Sequence, residues 1–256
     1  MNLLVSLRSE ILKTKRTAAF YFTLVGAAIV PAIFLLNVLT DGLPDEKQSS
    51  KDPLNAIFNL GCEINSLAIF PLFLVLICTL LPQIEHKNNT WKQVLTSPQT
   101  KANVFTAKFL NVHLLILVFL IANHLFMWIV AIGAHLAIPQ LNILHQPLNG
   151  KTILINTANL YVAVLAICAI QFWIGLRIKN FIVPIAVGIA MWLTGTILSL
   201  EYHSSLANYF PYSFQLFPMS PQYKPDLAQV VWTSAGYAAV ILLLGFLDFR
   251  RRRMTA

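Results

Sequence analysis

His113, His124 and His135 recur at intervals of eleven residues, and eleven residues advance a helix by almost three whole turns. The three therefore share one face, an arrangement that raises metal chemistry. The first and last stand about 33 Å apart along such a helix, whereas ligands must sit about 2 Å from one ion, so this helix alone cannot build a site. Gly150-Lys151-Thr152 has the ending of a phosphate-binding loop, but that loop needs a preceding strand and a glycine at 145, where the chain has His145. No HExxH, GxSxG or paired acidic motif occurs. Glu85 and Glu201, the acids nearest the membrane, sit at its opposite ends. The expectation is a chain with no catalytic residues, no metal site and no bound cofactor, hence not an enzyme. Cys62, Cys78 and Cys168 form no CxxC and read as packed apolar thiols. His124, with Asn123 beside it, is a different case, because an ionisable group inside an apolar run is a functional candidate by default. It reads either as a helix-to-helix polar contact or as a transport residue.

Six apolar spans carry these residues, at about 17–39, 64–82, 109–135, 155–176, 181–200 and 228–249. Each is long enough to cross a hydrocarbon core of about 30 Å. Composition agrees, with 57% hydrophobic and 11% charged residues, where a soluble domain carries roughly 25% charge. Fourteen of the eighteen Lys and Arg fall in the segments 1–16, 83–108, 177–180 and 250–256, which six crossings place on one side. Lys47, Lys51, Lys151 and Lys224 are on the other. Cytoplasmic loops collect basic residues, so both termini are expected in the cytosol. The net charge of +8 lies in these juxtamembrane clusters, which suit anionic lipid headgroups and do not call for nucleic acid.

The fold class is thus an all-α integral membrane protein, a single domain over 1–256. Residues 1–16 read as an amphipathic helix in the membrane interface, with Leu3, Leu4, Leu7 and Ile11 against a face of Arg8, Glu10, Lys13 and Lys15. The first outer loop, about 40–63, is polar and broken by Pro44 and Pro53. The segment 201–227, with seven aromatics and four prolines, is too apolar for a free loop and too broken for a span. It is expected to lie in or re-enter the outer interface. In span five, Ala186 and Ala190, with Gly188 and Gly195 nearby, have the small-residue spacing that permits close helix approach, a possible dimer interface.

Between spans two and three, Trp91, Val94 and Leu95 follow helical spacing until Pro98 stops them. This is a short amphipathic helix on the cytoplasmic face. Glu85, Thr90, Trp91, Leu95, Ser97-Pro98 and Lys108 occupy the places of a pattern that runs from the end of span two into span three. In that pattern, as in its six spans and N-terminal interfacial helix, the chain resembles the permease subunits of bacterial type-2 ABC exporters. Its small outer loops look most similar to the lantibiotic-immunity and peptide-antibiotic branch. The resemblance implies two permeases, identical or paralogous, each docked through the loop on a separate cytosolic ABC ATPase that holds ATP and Mg. Trp91 is then the expected docking anchor. The outer aromatic segment favours an amphipathic or lipid-like cargo. A sensor or docking protein and a lone secondary transporter are the competing readings, and no matched pair of midplane sites supports the latter.

Overall fold

The computed structural model describes residues 2–42, 52–96 and 98–251. Ser97, Pro44, Lys47, Lys51, Arg252 and Arg253 lie outside the described residues. Within them the chain is helical, with no strand. The helices are α1 (Leu3–Thr14), α2 (Ala18–Asp41), α3 (Pro53–Ile64), α4 (Phe70–Lys87), α5 (Trp91–Thr96), α6 (Lys101–Ala137), α7 (Gly150–Ala163), α8 (Leu165–Arg177), α9 (Ile182–Leu200) and α10 (Leu227–Arg251). The turn Asn65–Ile69 is π-helical and joins α3 to α4, so that Pro53–Lys87 forms one membrane-length helix. Six helical stretches are long and apolar enough to cross a membrane. In lipid, backbone amides must pair within their own segment, and unbroken helix is the way an apolar run achieves this.

The observed spans outrun the sequence boundaries. Pro53 does not break a loop but stands in the first turn of α3, where its missing N–H removes no helical bond. Span two therefore begins eleven residues before position 64. Span three begins at Lys101 rather than 109, after Thr100 caps the helix by accepting from the Asn103 N–H at 3.2 Å. Its 37 residues reach about 55 Å, well beyond the hydrocarbon. Lys108 thus lies within a helix, two turns from its start. Span four, read as one run, is broken at Val164 into α7 and α8.

α6 is the central post. α2 packs along it and α1 crosses its start, while α4 pairs with α8 and α8 with α10. The packing centre is aromatic, with the Phe73 and Phe119 rings stacked at 4.3 Å and Phe70 set 5.3 Å from Phe119. Asn123 on α6 donates to the Ala27 carbonyl of α2 at 3.0 Å, and His124 meets the Thr157 hydroxyl of α7 at 2.9 Å. The segment after α9 re-enters the bundle in three short 3₁₀ turns, and Tyr212–Phe217 is buried. At two glycines the neighbour is backbone. A Cβ on Gly175 of α8 would stand 2.8 Å from the Cys78 carbonyl oxygen of α4, and one on Gly195 of α9 would run into that of Tyr212.

Gly175→Val should lower the melting temperature in detergent by the equivalent of about 1–3 kcal/mol, since backbone faces the new atoms. Gly236→Ala, on α10 with nothing within 4 Å, should leave it unchanged or raise it, by up to about 1 kcal/mol.

Candidate functional site: a buried ion ring beneath the short surface helix

Arg16, with φ of 61°, turns the chain sharply between α1 and α2 and folds α1 onto the start of α6. The structure gives the amphipathic α1 its direction. The face it buries in the protein is polar, made of Ser6, Glu10 and Thr14, while Leu4, Val5 and Leu12 point outward. A carboxylate inward and leucines outward is the order expected of a helix with protein on one side and lipid on the other.

Glu10 there meets two lysines. Its Oε2 lies 2.7 Å from Lys108 Nζ and its Oε1 2.7 Å from Lys13 Nζ. Glu85, from the last turn of α4, closes the figure through Oε1, 2.6 Å from Lys108 and 3.1 Å from Lys13. The result is a four-membered ring of alternating charge, net zero, joining α1, α4 and α6. Lys108 and Glu85 have side chains only 1% exposed, while Lys13 is 35% exposed. Asn111, one turn beyond Lys108, donates to the Thr14 hydroxyl at 2.7 Å and fixes the register of α1 on α6. Burying one such charge alone costs several kcal/mol, roughly, and each is tolerable because both its neighbours carry the opposite sign. Burial works against the charge on Glu10, but Lys108 and Lys13 overcome it and hold its carboxyl below the usual value. Burial likewise opposes the charge on Lys13, and Glu10 and Glu85 overcome that and raise it.

Asn89, at φ of 52°, turns the chain out of α4 into α5. The Thr90 N–H donates to the Glu85 carbonyl at 3.1 Å, and the Thr90 carbonyl accepts from the Val94 N–H at 3.0 Å, which starts the short helix. Trp91 then turns inward. Lys108 Nζ sits 5.5 Å from its ring, with the His86 and Phe249 rings at 5.4 and 5.8 Å. The expected docking anchor is therefore buried, 6% exposed, because the ring cation and two aromatics of its own chain already occupy its faces. Glu85 and Lys108 are consumed in the same way. From this loop Gln93, Thr96 and Pro98 are exposed instead, and Leu95 lies on α5.

The structure thus gathers Glu85, Thr90, Trp91 and Lys108 into one place, while Asn123 and His124 lie in the bundle with different partners. Of the small residues in α9, Gly188 packs against Gln171 and Val75, and Gly195 against Tyr212. Their close contacts lie within the chain, and only Ala186 and Ala190 face outward. Glu10, Lys13 and Asn111 were missed. Glu10 had a signal, being the single acid of a basic segment, with Ser6 and Thr14 one helical turn to either side. Among the described residues no group of three or more His, Cys, Asp or Glu could hold a metal ion. Each of the four side chains in the ring is held by two of the others. The ring is a clamp.

Residues 6–195 of the sequence match the family described as ABC-2 family transporter protein, a stretch that contains all four ring residues and α5. No curated protein matches the chain.

Lys108→Met leaves two buried carboxylates facing one lysine and should cost about 3–5 kcal/mol of stability in detergent. Adding Glu85→Gln should recover much of that loss, and a cost below about 1 kcal/mol for the single variant would rule the clamp out. The pH dependence has a defined sign. Glu10's contribution is complete above its ordinary 4.5 and is lost as pH falls through its lowered value. Lys13's is complete below its ordinary 10.5 and is lost as pH rises through its raised value. Thermal melts against pH should show Glu10→Gln removing the acid-side loss from Glu10 and also shrinking the alkaline-side loss, because Glu10 is the chief group that raises Lys13.

Proposed function

The chain belongs to the ABC-2 family of transporter proteins, and on that premise we propose that it is the membrane-spanning subunit of an ATP-driven exporter, coupled to a separate cytosolic ATPase. Members of this family are the multi-pass membrane component of transport and work with an ATPase subunit. They are not enzymes by themselves. The observation that carries the coupling is the ion ring under α5. A force applied to α5 is delivered through Trp91 and Lys108 to α6, through Glu85 to α4, and through Glu10 to α1. A surface helix held only by apolar contacts would slide, because such contacts have no direction.

In this reading the basic end faces the cytosol, both termini included, and the membrane is the cytoplasmic one. ATP and Mg belong to the partner. Two permeases, identical or paralogous, pair, with Ala186 and Ala190 of α9 on a face open to the second copy. Trp91, Glu85 and Lys108 support the docking helix from beneath, and Gln93 and Thr96 on its outer side meet the ATPase. An amphipathic peptide, antibiotic or lipid-like cargo, as in the lantibiotic-immunity branch, suits the aromatic outer segment.

The test is copurification with the ATPase from cells expressing both. Gln93→Glu with Thr96→Glu should leave folding within about 0.5 kcal/mol of wild type, as exposed positions do. Association should weaken by about tenfold or more, equivalent to 1.4 kcal/mol. Unchanged association and ATP-driven export in that variant would exclude α5 as the docking element.

A further inference from the structure

A second feature of the basic end plays no part in the clamp. Between the start of α2, the last turns of α4 and the turn before α9 lies a cavity of about 690 Å³. That is within the roughly 300–1,000 Å³ that encloses a drug-sized ligand. Its walls divide by chemistry. Leu80, Ile84 and Phe181 supply apolar lining, and the exposed Lys87 and Lys179 supply charge beside the neutral polar Gln83 and Asn88 and the His86 ring. No carboxylate lines it. The two lysines are exposed, and among the described residues neither has an acid or hydrogen-bond partner. Glu85, the nearest acid in sequence to Lys87, is committed to Lys13 and Lys108. Two unneutralised ammonium groups beside an apolar wall, at the level where the spans end, match an anion that carries a hydrocarbon chain.

We infer that this cavity holds an anionic phospholipid of the surrounding leaflet, its phosphate between Lys87 and Lys179 and its acyl chain along Leu80, Ile84 and Phe181. Each lysine near a membrane surface adds attraction to anionic headgroups, and here two line one cavity. A free phosphate would use the lysines and leave the apolar wall in water. The site requires only that the bundle is embedded in lipid. It does not depend on ATPase docking, so its failure and the failure of the coupling role are separable.

The purified chain, without any ATPase, is titrated in mixed micelles with phosphatidylglycerol or phosphatidylcholine, with melting temperature and bound lipid by native mass spectrometry as readouts. Saturable binding and stabilisation are expected with phosphatidylglycerol only. Lys87→Gln with Lys179→Gln should weaken it by about tenfold or more, and Lys151→Gln, at the other end of the bundle, should not. Both lysines are exposed, so the variant folds, and its unaltered melting temperature without added lipid checks this. Equal binding of the two lipids, or wild-type affinity in the double variant, would overturn the inference. Displacement by soluble glycerol phosphate at concentrations equal to the lipid's would overturn the role of the apolar wall. ATP-dependent movement of labelled phosphatidylglycerol between leaflets, in vesicles that also hold the ATPase, would make the lipid a cargo and overturn the resident site.

Discussion

Three buried charges at one end of a membrane bundle, Glu10, Glu85 and Lys108, would each cost it several kcal/mol, roughly, if they lacked their partners. That constraint organises the basic end of this protein. Lys108 stands inside a helix where water does not reach it, and it is stable there because Glu10 and Glu85 approach from two other helices. The arrangement fixes more than it stabilises. A buried ion pair adds little over well-packed apolar residues, but it has one geometry in which every charge is met. α1, α4 and α6 must hold their relative positions or expose a charge, and Trp91 packs on the same lysine. The short helix is therefore part of the bundle and not a loose loop upon it.

Elsewhere the bundle is held by a different balance. Between helices in lipid there is little hydrophobic drive, since acyl chains are as apolar as leucine, so contact depends on close packing and interhelical hydrogen bonds. Gly175 and Gly195 bring backbones together. Asn123, His124 and Ser234, which donates to the Ala163 carbonyl at 2.8 Å, each tie one helix to another. The 3₁₀ segment brings irregular backbone to the bundle, and Ser213 and Tyr223 help satisfy it by donating to the Phe210 and Ser199 carbonyls. Irregular backbone at such depth needs cover from protein, and α9 and α10 supply it. Polar groups at the clamp thus set orientation, and polar groups along the spans set register.

A permease that is moved by a partner must be stiff where it is pushed and able to rearrange elsewhere. The charge ring and the aromatic cluster of Trp91, His86 and Phe249 give stiffness at the basic end. The π-turn at Asn65–Ile69, the break at Val164 and Pro31 inside α2 interrupt regular helix farther along. Discontinuities of this kind are where helices bend. The division between a locked end and interrupted spans is the mechanical character that the proposed coupling needs.

The number of spans, their helical nature and the uneven distribution of Lys and Arg were legible without coordinates, because each is a property of local composition against the thickness of a membrane. So were the existence of the short helix and the association of Glu85, Trp91 and Lys108 with one region. Their roles were not. Trp91 has the same spacing whether it faces a partner or its own chain, and only the arrival of Lys108 and Phe249 beside it decides that it is buried. Helical spacing put Glu10 on the polar face of α1 but could not say that this face turns inward, since the buried lysine that meets the acid, Lys108, lies 98 positions away. Pro53 and Val164 show the same division, as a proline is silent in a first turn and a break in an apolar run leaves no mark in composition. Periodicity and charge are read along one strand of sequence, whereas the clamp exists only where three distant segments meet out of water.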